Sequence, residues 1–203
     1  PTNNASSNNN SGADGGSSGT SQNNGDLLKP VASTGEELTL QEIAKKVIPS
    51  VVCIQNYQYS QSQGGFGYGY GQSSNKGTLK EAGEGSGIIA TSDGYIITNY
   101  HVVSSAQQIV VLLTNGQEYA ACRVGGDETS DLMVLKIDAT DLTPAEFGDS
   151  DAAEVGDSVV AIGDPLGIEL RGTMTDGIIC GIKRDVDVGD RTMSLMQTNA
   201  ALN

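Results

Sequence analysis

The apolar residues of this chain are grouped in short runs that alternate with turn residues, a pattern typical of β-strands. Runs at this spacing predict an all-β protein. The turn Ser92-Asp93-Gly94 predicts a hairpin, and Asn115-Gly116 predicts another with a type I′ turn, in which both turn residues have positive φ. The predicted strands are Val51–Ile54, Gly87–Ala90, the run from Tyr95 that stops abruptly at His101, Ile109–Leu113, Glu118–Val124, Leu132–Ile137, Ser158–Ile162, Gly177–Ile182 and Arg191–Gln197.

One short helix is predicted ahead of the strands. Thr39 and Glu42 stand at the spacing of a capping box, in which each side chain bonds the backbone amide of the other residue. Pro49 is expected to end this helix, because a proline disfavours helical backbone in the residue before it. The apolar face of the predicted helix consists of Leu40, Ile43, Ala44 and Val47.

Two segments have compositions that do not favour a packed core. Eighteen of residues 1–25 are Asn, Ser or Gly, so we expect residues 1–37 to form a disordered tether. Residues 60–84 are rich in Gly, Ser and Gln and are predicted to form one long loop. A loop of this length is usually functional or disordered, and both a docking or regulatory role and disorder remain open.

Charge and cysteine content narrow the classes of function. The net charge is −14, and residues 127–190 contain 16 acidic against 4 basic residues. Such a surface repels phosphates, which argues against nucleic acid as a partner. We interpret it as a solvated acidic face, with attraction of basic substrates as the alternative. Cys53, Cys122 and Cys180 match no zinc or CxxC spacing, and we interpret them as buried free cysteines that act as small apolar residues, with a disulfide or ligand role as the alternative.

The candidate chemistry centres on His101, the only histidine of the chain. Imidazole titrates near neutral pH and can accept and return a proton. Asp131 directly precedes a second apolar run, where its carboxylate could orient a histidine ring. Taken singly, His101 could be a half-buried structural histidine and Asp131 an ordinary turn carboxylate. The pair is more specific than either member.

Five motifs follow one another along the chain: Gly85–Ile89, Thr98–Val103, Ser130–Ile137, Gly163–Gly167 with Gly172–Ile179, and Gln197–Asn203. Together they resemble motifs of the HtrA/DegP serine proteases, trypsin-like endopeptidases of the bacterial envelope. The resemblance covers roughly residues 38–203 and has one departure. In the family the last motif continues into a Gly-Asn-Ser-Gly-Gly segment that holds the nucleophile, which is expected about four positions beyond Asn203.

The resemblance implies a double antiparallel β-barrel with the active site between the barrels. Residues 38–140 would form the helix and first barrel, and residues 141–203 an incomplete second barrel. His101 would be the general base and Asp131 the residue that orients it. The nucleophilic serine would not be in this chain, so residues 1–203 alone are expected to be inactive. Ala201 and Leu202 would line a substrate pocket that prefers small or branched aliphatic side chains.

The resemblance also implies partners and a location. Substrates would be unfolded or damaged envelope proteins and peptides, and no cofactor or metal is implied. A homotrimer and a downstream PDZ domain are further implied. The protein would be extracytoplasmic, in the envelope or on the cell surface, anchored through a removed N-terminal segment. The alternative is a non-catalytic protein that binds polypeptides or scaffolds partners on a protease-derived fold.

Overall fold

The computed structural model describes residues 37–60, 77–164, 172–189 and 191–201. Most described residues lie in β-strands, which confirms the predicted all-β class. Two short helices, α1 (Leu40–Val47) and α2 (Tyr100–Val103), accompany the strands. The strands are β1 (Val51–Ser60), β2 (Thr78–Ile89), β3 (Tyr95–Asn99), β4 (Gln108–Leu112), β5 (Glu118–Asp127), β6 (Leu132–Ile137), β7 (Ser158–Gly163), β8 (Thr173–Val188) and β9 (Arg191–Thr198).

Helix α1 begins with the predicted capping box. The Glu42 amide donates to Thr39 Oγ1 at 3.3 Å, and the Thr39 amide donates to Glu42 Oε2 at 2.9 Å. The α-helix ends at Val47, and Pro49 lies in the 3₁₀ turn that follows. Among the described residues no helix is long and apolar enough to span a bilayer.

Strands β1 to β6 form a closed antiparallel barrel in the order β1-β2-β3-β6-β5-β4. Closure pairs every strand on both sides, so this barrel has no free edge. Full burial of one aliphatic side chain stabilises a fold by roughly 1.5–3 kcal/mol, and the apolar interior is therefore the main source of its stability. The completely buried aliphatic residues of its core are Val52, Ile54, Ile96, Val103, Val111 and Leu135.

The first predicted hairpin is confirmed. The type I′ turn predicted for the second hairpin is wrong. Residues 87–89 pair with 96–98 across the turn that contains Gly94, whose φ is 104°. At the second turn Gly116 has a φ of 87°, but Asn115 does not have positive φ. The Gly116 amide donates to Leu113 O at 2.9 Å, so the β4–β5 connection is a turn followed by a left-handed glycine. The loop has one residue more than a type I′ hairpin turn.

The predicted loop over 60–84 was wrong at both ends. Ser60 belongs to β1, and Thr78–Glu84 belongs to β2, where Glu84 pairs with Gln55. This part of β2 is largely exposed, so polar residues on both faces hide the alternation that marks a half-buried strand. Residues 61–76, like residues 1–36 of the expected tether, lie outside the described part of the chain.

The remaining strands form a separate three-stranded sheet in the order β7-β8-β9. The assignment of residues 141–203 to an incomplete second barrel stays a prediction. Strands β8 and β9 form a long hairpin that is exposed on both faces toward its tip. The prediction of buried cysteines was correct only for Cys53, because Cys122 is exposed and Cys180 half-buried on outward-facing strand positions.

Candidate active site

His101 lies in the first turn of α2, not at the end of a strand as the apolar run had predicted. Strand β3 ends at Asn99, and the chain turns into the helix at Tyr100. The Tyr100 amide donates to Asp131 O at 3.0 Å, which ties the start of α2 to the residue that precedes β6. The His101 side chain is 70% exposed, so its ring is open to a ligand.

Asp131 has a left-handed backbone conformation with a φ of 56°, which is uncommon outside glycine. Three contacts hold this geometry. Its carbonyl accepts from the Tyr100 amide and from Asn99 Nδ2 (3.2 Å), and its own amide donates to Glu128 O at 3.3 Å. The conformation places the carboxylate beneath α2, where the side chain is 12% exposed.

The two carboxylate oxygens of Asp131 bind different parts of His101. Oδ1 accepts from the His101 backbone amide at 3.0 Å, and Oδ2 lies 2.7 Å from ring Nδ1. Asn99 Nδ2 donates to Oδ2 at 3.2 Å. A carboxylate held in this way accepts the Nδ1 proton, so the neutral ring presents Nε2 as its acceptor.

Burial opposes ionisation of Asp131, but other interactions outweigh it. The hydrogen bonds from the His101 amide and ring stabilise the carboxylate, and the charges of His101 and Arg191 add to this effect. The pKa of Asp131 therefore lies below its ordinary value. An ionised Asp131 can stabilise a protonated imidazole beside it.

A cleft of about 510 Å³ opens beside the His101 ring. One wall comes from the first barrel and the other from the tip of the β8–β9 hairpin. Arg191 lies in the second wall, with a guanidinium nitrogen 3.8 Å from Asp131 Oδ1. The residues that line the cleft are Tyr100, His101, Ser104, Glu128, Thr129, Asp131, Val188, Gly189 and Arg191.

Of the two predicted pocket residues, Ala201 does not line this cleft. Ala201 is exposed, and its carbonyl accepts from Thr175 Oγ1 at 2.7 Å. Leu202 lies outside the described residues. The neighbouring Asn199 is structural here, because its Oδ1 accepts from the Ile178 amide at 2.8 Å.

Sequence reasoning missed two residues that contact the pair. Asn99 lies in the motif Thr98–Val103, but no role was predicted for it. Its position two residues before His101 could have indicated a contact with the pair. Arg191 lies 60 positions after Asp131 and had no local signal, because only the path of the β8–β9 hairpin brings it there.

Comparison with known proteins gives one consistent match. The family described as "Trypsin-like peptidase domain" matches residues 85–203. "Serine protease Do-like HtrA" of Bacillus subtilis (strain 168) is 37% identical over 172 residues, which cover 81% of this chain and 38% of that protein. "Probable periplasmic serine endoprotease DegP-like" of Rickettsia prowazekii (strain Madrid E) is 44% identical over 129 residues, which cover 62% of this chain and 25% of that protein.

Solved structures agree with the sequence relatives. The structure of "HtrA-type protease AlgW with decapeptide" superposes with a TM-score of 0.66 at 31% identity. The match covers 82% of this chain and 53% of that chain. The chain spans 38% and 25% of the length of the two curated relatives named above.

Proposed function

The chain belongs to the HtrA/DegP family of trypsin-like serine proteases, and from this premise we propose that it carries the general-base half of an endopeptidase active site. The observation that supports the proposal most directly is the 2.7 Å contact between His101 Nδ1 and Asp131 Oδ2. Asp131 is held on both sides by backbone and side-chain donors, while the His101 ring is exposed toward the cleft.

In the proposed mechanism His101 Nε2 removes the proton from a serine hydroxyl. The serine oxygen attacks the scissile carbonyl carbon, and the imidazolium then returns the proton to the leaving amine. Asp131 stays ionised throughout. It keeps the neutral ring in the tautomer with the proton on Nδ1 and stabilises the charged ring.

We propose that none of residues 1–203 is the nucleophile. Ser104 lines the cleft, but it lies on the same helical segment as His101 and lacks the Gly-x-Ser-Gly setting of the family. The serine would come from the Gly-Asn-Ser-Gly-Gly segment that follows the last motif in relatives. An organophosphate probe should therefore label a longer protein that contains this segment and leave residues 1–203 unlabelled. Labelling of Ser104 would contradict the assignment.

Substrate class and location follow by analogy. We propose that the protein cleaves unfolded polypeptides outside the cytoplasm, since one relative is named a periplasmic endoprotease and an HtrA-type structure holds a decapeptide. Ala201 and Leu202 remain proposed pocket residues. Envelope anchoring, a homotrimer and a PDZ domain stay predictions that the family resemblance supports.

The test is hydrolysis of unfolded casein by the full-length protein. His101→Ala should remove at least about 10³-fold of turnover, because it deletes the base. Asp131→Asn should lose less, since the ring remains but the wrong tautomer is favoured. Asp127→Asn is the matched control: it changes the carboxylate at the end of β5, which accepts from the Ser130 amide at 2.8 Å. Full activity of His101→Ala would refute the assignment, and an inert wild-type protein would favour the binding or scaffolding alternative.

A further inference from the structure

Helix α2 is too short to fix its own orientation. It has four residues, and the Ser104 amide closes a single turn on Tyr100 O at 2.9 Å. Isolated helices of this length are unstable in water, so contacts from other elements must set the direction of α2. Asp131 binds its first turn, as described above. The last turn must be held by something else.

We propose that Asn56 and Arg123, from two different barrel strands, are positioning residues that hold the C-terminal end of α2 and thereby fix His101. The inference rests on the proposed general-base role of His101. Neither side chain reaches the reacting atoms, and both act through the backbone of α2.

Asn56 occupies a position where an apolar residue would be expected. Along β1, Val52 and Ile54 point into the barrel and are fully buried, and Asn56 is next in the same row at 6% exposure. A buried amide is costly unless it is hydrogen-bonded. Asn56 Nδ2 donates to Val102 O at 2.9 Å, the carbonyl of the residue directly after His101. The buried amide of Asn56 is therefore hydrogen-bonded to the backbone of α2.

Arg123, on a different strand, holds the carbonyls that follow. It belongs to β5, and one of its terminal guanidinium nitrogens donates to Val103 O and to Ala106 O, the latter at 2.6 Å. The last carbonyls of a helix have no partner within the helix, and a guanidinium can satisfy two acceptors at once. The Val103 side chain is fully buried in the barrel core, and this burial anchors the end of α2 whose carbonyls the two side chains bind.

These contacts leave α2 with little freedom. Its start is fixed by Asp131, its end by Asn56 and Arg123, and its underside by Val103. Loss of one C-terminal donor would let the helix tilt about its N-terminal attachment. A displacement of about 1 Å at a catalytic group can cost about 10²-fold in rate, so small tilts matter.

The experiment compares Asn56→Leu and Arg123→Met with the matched control Gln55→Leu in the full-length protein. Gln55 is the neighbour of Asn56 on β1, is 7% exposed and donates to Glu84 Oε1 at 3.0 Å rather than to α2. Two readouts are taken: kcat and KM on casein, and the ¹⁵N chemical shifts of both ring nitrogens of His101. His101→Gln identifies the ring signals.

Each positioning variant should lower kcat by about 10–100-fold with KM changed less than about threefold. The ring proton should move from Nδ1 toward Nε2, because the bond to Asp131 loosens. Arg123→Lys keeps one charged donor and should recover part of both effects. Gln55→Leu should leave the tautomer and kcat as in the wild type even where it lowers stability.

The readouts separate the possible failures. Wild-type tautomer and kcat in both Asn56→Leu and Arg123→Met would overturn the proposal, and equal effects in Gln55→Leu would do the same. If Asn56→Leu does not fold, Arg123→Met and Arg123→Lys decide, because Arg123 lies on an exposed strand position. If the wild-type protein hydrolyses nothing, the proposed function fails, while the tautomer still tests the positioning.

Discussion

The Asp164 amide donates to Ser86 Oγ across 2.9 Å and joins the second sheet to the closed barrel. Asp164 directly follows β7 and is almost completely buried, and Ser86 lies in β2. A Cβ on Gly163 would lie only 3.0 Å from the same hydroxyl oxygen, so the two elements approach closely at this point.

Ser86→Ala should weaken this junction. The change removes the hydrogen bond between the buried Asp164 amide and Ser86 Oγ, which we expect to cost about 1–3 kcal/mol. We expect the urea midpoint to fall, with a broader transition if the sheet unfolds before the barrel. Ser92→Ala, in an exposed turn, is the control and should change the free energy of unfolding by less than about 0.5 kcal/mol. Equal effects of the two variants would argue that the junction is unimportant.

The lowered pKa of Asp131 predicts a specific dependence of stability on pH. Because the folded-state value lies below the unfolded value of about 3.9, the carboxylate stabilises the fold fully above that pH. This contribution is lost as the pH falls through the folded-state pKa. Unfolding of the wild type and Asp131→Asn by urea should therefore differ most near neutral pH and least in acid. A difference that grows on acidification would contradict the assignment.

Arg191→Gln should move the same titration. It removes a positive charge 3.8 Å from Asp131 Oδ1, so the pKa of Asp131 should rise toward its ordinary value. The stabilisation by Asp131, measured against Asp131→Asn in each background, should then be lost at a higher pH. Lys183→Gln removes an equal charge from the same hairpin, where Lys183 pairs with exposed Asp151, and should cause no such shift. Identical titrations in the two variants would exclude a role of Arg191.

Gly85→Ala tests the close contact between Val102 of α2 and the backbone of β2 at Gly85. A Cβ at this position would lie 2.7 and 2.8 Å from the two methyl carbons of Val102. We expect a loss of about 1–3 kcal/mol, and Val102→Ala in the same chain should recover part of it, because it removes those methyl groups. Gly83→Ala, where nothing lies within 4 Å, is the control and should be nearly neutral. Additive effects of the two substitutions would show that the clash is not the cause.

Gly116→Ala should destabilise the β4–β5 turn by about 1 kcal/mol. Nothing lies within 4 Å of a Cβ there, so the cost comes from the left-handed φ of 87° alone. Gly148 has equal space and no positive φ, so Gly148→Ala should be neutral or slightly stabilising. Thermal unfolding of both variants separates conformational strain from packing. A neutral Gly116→Ala would mean that the turn relaxes.

The features that could be predicted depend on interactions between residues close together in the sequence. The capping box of Thr39 and Glu42 and the hairpin over 92–94 depend on residues close in sequence, so the pattern sufficed. His101 and Asp131 could be predicted because each adjoins an apolar strand within a recognisable motif, and the structure places them in contact.

Other features depend on distant partners. The exposed start of β2 lacks alternation, and Asn-Gly suits more than one turn, so sequence alone misplaced both. Arg191 reaches Asp131, and Asn56 reaches Val102, only after strands far apart in sequence are paired. Such contacts have no local signature.

Closure of the barrel has a consequence for synthesis on the ribosome. All six strands lie between Val51 and Ile137, and this interval contains His101, Asp131, Asn56 and Arg123. The contacting pair His101–Asp131 and the side chains that hold α2 therefore all lie in one closed barrel, whose residues are translated before those of β7. Under the proposed function, a nascent chain at that stage would already contain the general base but not yet the nucleophile.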